Sequence, residues 1–467
     1  MKKKKVLKIT PILVTLNVLV LFGIAGFYGY RLIKYYNLEH ADDDGVVLLV
    51  DELIKRRSFL DETKGLVLNE EENIYRYKGE VEDNYLYYSG MTYRIIGIDK
   101  DKNIKAINEE NVTLMYPGFE KGYKDSYVNK WLNKSSVKDS GVYEETFYRA
   151  SDLIKNSYFC SDVIKDPENI TCNEKNKDYK ITLLSLYDYR QAGGKSSFLN
   201  NGKSFNLGTL NDEKLSYYVT DEGDIAVQQK QNWAIYVRPV ITISSTAELI
   251  SGNGKKDNPF IIESHNIDLL SDAYVGNYVT LNKEAYRIVR KYNDKVLVVK
   301  ANTLKEADKE TMVRFGGEDN IYSPEKGIGY FLNVTYHKTL ELKDSTVKGD
   351  FYTGQITLDD YDYSTLKTSS VQASVGMLTM GDMFINESNN ELILFRGIEA
   401  DNIVYVVKDG HFFGDVLTSN YAVRPAVYLK ADLDIDDGKG TLLNPYVFAS
   451  EEVPTTTTTK KVEKVEN

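Results

Sequence analysis

The sequence predicts an α+β protein dominated by strands, in which an N-terminal transmembrane helix precedes two tandem copies of one strand-rich domain. Three observations carry this reading. Residues 9–30 form a mainly apolar run of roughly the length one helix needs to cross a bilayer. Tyrosine and glycine are plentiful (36 and 32) while proline is scarce (9), a mixture that suits twisted sheets with many turns better than a helical bundle. Finally, Val237-Arg238-Pro239 returns as Val423-Arg424-Pro425, each followed by an alternating apolar segment, "VITI" and "AVYL".

Taken in order, residues 1–8 are a basic tail with Lys2, Lys3, Lys4, Lys5 and Lys8, which favours a cytoplasmic N-terminus for a signal-anchor over 9–30. Gly23-Ile24-Ala25 offers the small residues of a cleaved signal peptide instead; either reading exports the remainder and places it outside the cell membrane. Residues 31–65 read as a juxtamembrane stalk in which Val46, Leu49, Val50 and Leu53 fall at helical spacing, an apolar stripe able to dock on the first domain. The seven basic residues of positions 1–34, with no acid among them, leave 51 Lys+Arg against 69 Asp+Glu, a net −18 for residues 35–467. A nucleic-acid partner would need a basic stripe and is excluded on this ground.

From Leu66 the chain breaks into short alternating segments that repeat in order. "NYLYYSGMTYRIIGI" (84–98) matches "NYVTLNKEAYRIVRK" (277–291), "WLN" (131–133) matches "FLN" (331–333), and "ITLLSLYDY" (181–189) matches "VGMLTMGDM" (375–383). This duplication defines a first repeat domain at 66–263 and a second at 264–450, each large enough to fold around its own core. The Thr-rich tail, 451–467, has no apolar period and reads as disordered. Each copy holds a short helix near its middle, capped by Asp125 or Ser126 in the first and by Ser323 in the second.

Proline lacks a backbone donor and fixes φ, so Pro239 and Pro425 belong at the start of a strand or on an edge. Arg238 and Arg424 then satisfy carbonyls or a carboxylate inside each domain, or clamp an anion in a cleft; a duplicated motif points first to shared architecture. Gly252-x-Gly254 before Asn258-Pro259, and Gly438-x-Gly440 before Asn444-Pro445, read as closing turns. The two cysteines, Cys160 and Cys172, flank a polar loop and read as a disulfide in an exported chain, since no Cys-x-x-Cys spacing or nearby histidine supports a metal. Asp432, Asp434 and Asp436 begin like a calcium loop, but glycine comes one place late and Leu443 stands where the bidentate acid belongs. No catalytic motif occurs, and no other cofactor is implied.

The succession Tyr93-Arg94-Ile95, Trp131-Leu132-Asn133, Leu183-Leu184-Ser185 and Val237-Arg238-Pro239 resembles a bacterial surface module known as domain of unknown function 6273. The second copy keeps Tyr286-Arg287-Ile288, Leu332-Asn333 and Val423-Arg424-Pro425. That module is similar, at a distance, to the formylglycine-generating enzyme and C-type-lectin-like folds. The enzyme's cysteines lie late in its domain, whereas these lie midway through one copy only, so its activity is not carried over. The resemblance implies two lectin-like modules that bind a glycan, a wall polymer or a surface protein without catalysis. An exported glycan-active enzyme with a carboxylate pair is the rival.

Overall fold

The structure is a computed structural model. It describes residues 46–59, 61–133, 143–147, 151–160, 162–168, 171–172, 175–229, 234–306, 309–316, 320–353, 355–356, 370–379, 382–385, 391–397, 403–408 and 411–449. Strands make up 40% of the chain and helices 14%, so sheets set the architecture. The sequence expectation of a fold headed by a transmembrane helix is corrected here. No helix among the described residues is long and apolar enough to cross a membrane. Residues 9–30, and with them the expected membrane contact, lie outside the described residues, as does the tail 451–467. An apolar run states a length and a hydropathy, and the α-helices among the described residues, Leu49–Lys55, Tyr127–Leu132, Leu186–Gln191 and Gly327–Tyr330, are four to seven residues long.

The first of these, Leu49–Lys55, buries Leu49, Val50 and Leu53, while Val46 stays exposed. Its N-terminus is pinned by Leu49 N–H donating to Ala247 O at 2.9 Å, so the stripe docks on the first repeat. There the main antiparallel sheet runs Tyr85–Tyr88, Met91–Ile98, Ile104–Asn108, Pro239–Ile243, Ile181–Leu183 in spatial order. The second repeat lays down Tyr278–Leu281, Glu284–Lys291, Lys295–Lys300, Ala426–Lys430, Val375–Gly376 in the same order. A bulge recurs as well, between Ile95 and Gly97 in one copy and Ile288 and Arg290 in the other.

Side chains repeat with the strands. Ser126 caps Tyr127–Leu132 by accepting from Asn129 N. Asn133, after that helix, uses its amide as a strand edge, donating to Ile181 O at 2.7 Å and accepting from Ile181 N at 2.8 Å. Asn333 does the same with Val375, at 2.9 and 3.1 Å, because a primary amide offers both halves of a peptide's hydrogen-bonding capacity. The expected cap of the second helix is corrected: Lys326, not Ser323, precedes Gly327–Tyr330. A Cβ at Gly329 would stand 1.9 Å from Ser323 O, so Ser323 belongs to the turn folded against the helix. Both closing turns require their first glycine, since Gly252 (φ +93°) and Gly438 (φ +104°) would bring a Cβ within 1.8 Å of Pro259 O and 2.2 Å of Pro445 O.

The two repeats pack against each other. Thr113 Oγ1 donates to Asp382 O at 2.7 Å, Phe384 N donates to Val112 O at 2.7 Å, and Asn277 Nδ2 donates to the Tyr87 hydroxyl at 3.0 Å.

Candidate functional site

Arg238 and Arg424 lie in the interior, both at 0% exposure. Arg238 donates from Nε to Asn108 O at 2.6 Å and from Nη1 to Leu199 O at 2.7 Å. Arg424 donates from Nε to Lys300 O at 2.9 Å and from Nη1 to Phe384 O at 2.8 Å. Asn108 and Lys300 end equivalent strands, so each arginine ties the strand before its proline to the same place in its repeat. Burial pulls the Arg238 guanidinium down to about 10, with Glu109 opposing, and it is charged at neutral pH. Pro239 opens its strand, and Pro425 accepts from Lys300 N at 3.0 Å.

The other residues singled out by sequence are also core fastenings. Tyr93 and Tyr143 share a hydroxyl hydrogen bond at 2.8 Å, and Tyr286 and Tyr336 share the corresponding one. Trp131 is buried, with its ring centroid 5.9 Å from that of Tyr143. Arg94 donates to Asn84 Oδ1 at 2.6 Å, the Tyr85 hydroxyl at 3.0 Å and Val81 O at 2.6 Å. Arg287 donates to Gly276 O at 3.2 Å, with its guanidinium carbon 3.5 Å from the Phe384 ring centroid. These residues do not gather in an open cleft. Asp432, Asp434 and Asp436 are exposed, and they form no convergent ligand group among the described residues.

An open cleft lies elsewhere in the first repeat, where Ile74–Lys78 meets Met91–Ile98. Its volume is about 730 Å³ counting the mouth, and its lining includes Tyr75, Tyr158, Tyr187, Arg76, Lys105 and Asp188. Arg76 spans two carboxylates, donating from Nη2 to Glu72 Oε2 at 2.9 Å and from Nη1 to Asp188 Oδ1 at 3.2 Å. Lys105 Nζ donates to Asp188 Oδ2 and to Tyr158 O, each at 2.7 Å. The Tyr187 hydroxyl donates to Glu72 Oε1 at 3.0 Å, and its ring centroid lies 5.0 Å from the Arg76 guanidinium carbon. Burial pushes the Asp188 carboxyl up, but Lys105 and Arg76 outweigh it, with hydrogen bonds from Lys105 and Ser185, and hold it below the usual carboxylate range. The Nε of Arg76 is buried without a hydrogen-bond partner.

The second repeat closes the equivalent ground with its own side chains. Asp382 stands where Asp188 does, and it pairs with Arg290 of its own Glu284–Lys291 strand. The first repeat has Gly97 at the position of Arg290, and a Cβ there would meet Tyr75 O at 2.2 Å. The missing side chain admits an extra strand, Ile74–Lys78, whose Arg76 sits opposite Gly97 in register and supplies the guanidinium from the neighbouring strand. Lys105 also faces Gly97, where Leu297 faces Arg290 in the second copy. The equivalent ground there is sealed, since Arg290 donates to the Tyr292 hydroxyl at 3.1 Å and Leu297 and Tyr428 are buried.

Cys160 and Cys172 form a disulfide, with Cα atoms 5.7 Å apart, in the cleft wall. It fixes the end of the Ser157–Cys160 strand that carries Tyr158. Asp162 lies close to both sulfurs, but with the sulfurs bonded to each other they are not thiolate ligands. Sequence reasoning passed over Glu72, Arg76, Lys105, Tyr158, Tyr187 and Asp188. One signal was present: Asp188 and Asp382 occupy the same place in the matched strings "ITLLSLYDY" and "VGMLTMGDM". No family model, no curated protein and no solved structure matches this chain.

Proposed function

We propose that this is an exported, non-enzymatic binding protein whose first repeat holds a carbohydrate in the Tyr75–Tyr158–Tyr187 cleft. The observation that carries this reading is the combination of three partly exposed tyrosines with a fixed Glu72–Arg76–Asp188–Lys105 network. Aromatic faces suit the apolar faces of sugar rings, and rigid polar groups suit their hydroxyls. Export is favoured by the disulfide. Binding is favoured over hydrolysis because a glycosidase needs one carboxyl left protonated to serve as general acid, whereas Glu72 and Asp188 are both paired with Arg76, and Asp188 with Lys105 as well. A lectin-like module, which the sequence resemblance implies, would suit the same role, with the second repeat acting as a closed structural partner.

Isothermal titration of the full chain against a panel of oligosaccharides tests this. A member of the panel should saturate without being cleaved, and Tyr187→Ala should weaken it about tenfold, the loss of one stacking face worth about 1–1.5 kcal/mol. Cleavage of the bound oligosaccharide, or affinity unchanged by Tyr187→Ala, would count against the reading.

A further inference from the structure

The tyrosine cleft does not end at Tyr75. A second groove adjoins it, shares Tyr75, Ile98, Asp99 and Lys100 with it, and is otherwise lined by Asp51, Ile54, Lys55, Arg57, Asn73 and Lys102. Four of its side chains are cationic, drawn from the Leu49–Lys55 helix and its exit and from the 99–103 turn. Two are anionic. Of these, Asp99 is turned into its own loop, accepting from Asp101 N and Asn103 N, each at 2.8 Å, and from Asn103 Nδ2 at 3.2 Å. Among the described residues, Lys55, Lys100 and Lys102 are paired with no carboxylate, and all three are exposed. The turn holds both lysines at the mouth: Lys102 sits in the left-handed region at φ 63°, with its N–H donating to Asp99 O at 3.0 Å.

This local excess of positive charge stands on a chain that carries −18 over residues 35–467. A polyanion is repelled by the protein as a whole, so a basic groove gains from binding one only where the remaining contacts are specific. The adjoining tyrosines supply such contacts. In the tyrosine cleft itself Arg76 and Lys105 are already neutralised by Glu72 and Asp188, which leaves the free cations on one side and the aromatic faces on the other.

We infer that the ligand is an anionic oligosaccharide, with sugar rings against Tyr75 and Tyr187 and carboxylate or phosphate groups facing Lys55, Lys100 and Lys102. This rests on the carbohydrate reading of the cleft and adds the charge and the extended length of the ligand. Uronate and sugar phosphate share the chemistry the groove recognises, and the probes separate them.

The test titrates the full chain with hexagalacturonate, a phosphomannan oligosaccharide and neutral cellohexaose. At least one anionic probe should bind about tenfold or more tighter than cellohexaose at low salt. Its affinity should fall about tenfold between about 0.05 M and 0.5 M salt. The variant Lys100→Ala/Lys102→Ala should remove most of that difference without altering the thermal unfolding midpoint, since neither lysine is buried. A preference for hexagalacturonate assigns the anion to carboxylate, and a preference for phosphomannan to phosphate. Cellohexaose binding as tightly as both anionic probes, independent of salt, would overturn this inference while leaving the carbohydrate reading in place. Saturable binding of none of the three would overturn both.

Discussion

Replacing Arg238 with methionine is expected to destabilise the first repeat by about 3–5 kcal/mol, read as a lowered urea midpoint. Methionine fills much of the volume but removes the donors for Asn108 O and Leu199 O. Both carbonyls are then left in an interior without water, each unmade hydrogen bond costing about 1–3 kcal/mol. Glu109, whose carboxylate lies 3.7 Å from Arg238 Nη2, loses a counter-charge in the same step. A cost below about 1 kcal/mol would mean that the arginine is not the fastening its geometry describes. The Val-Arg-Pro echo is thus a statement about architecture: both copies must tie the strand before the proline to the end of the strand at Asn108 or Lys300, and a buried guanidinium does so with two directed donors.

The second large effect falls on Asp188. Asp188→Asn should cost about 3–5 kcal/mol, because Arg76 and Lys105 are left facing each other across a neutral amide in a mostly buried place. The substitution should also change the response to acid. The folded-state pKa of Asp188 lies below its ordinary value, so its contribution is fully present above about pH 4 and is lost as pH falls through the folded-state value. Wild-type unfolding midpoints should therefore drop more steeply below about pH 4 than those of Asp188→Asn. Parallel profiles would show that the carboxylate is not held ionised by its two cations.

Some of this was legible in the sequence because it depends on local chemistry. The capping by Ser126, the strand start at Pro239 and the glycines of the closing turns follow from backbone rules that hold at the residue itself. The apolar stripe Leu49–Leu53 was legible for the same reason. The cleft was not, because it arises from an absence: Gly97, where the other copy has Arg290, lets in a strand from 21 residues upstream that brings Arg76. A register across strands is not written in any one segment. The repeat did mark Asp188 through its partner Asp382, but not which strand would supply its cation. The apolar run at 9–30 states a hydropathy and a length and lies outside the described residues, among which no helix is long and apolar enough to cross a membrane.

The proposed ligand site is the Arg76–Asp188 cleft of the first repeat and not the ground around the paired arginines. Hydrogen–deuterium exchange on the full chain, with and without a saturating amount of the tighter-binding of hexagalacturonate and the phosphomannan oligosaccharide, tests it most directly. Slowed exchange is expected at residues 72–76, 97–105 and 186–188, with no change at 287–291 or 424–430. Protection centred on 287–291 and 424–430, with 72–76 unaffected, would contradict the account.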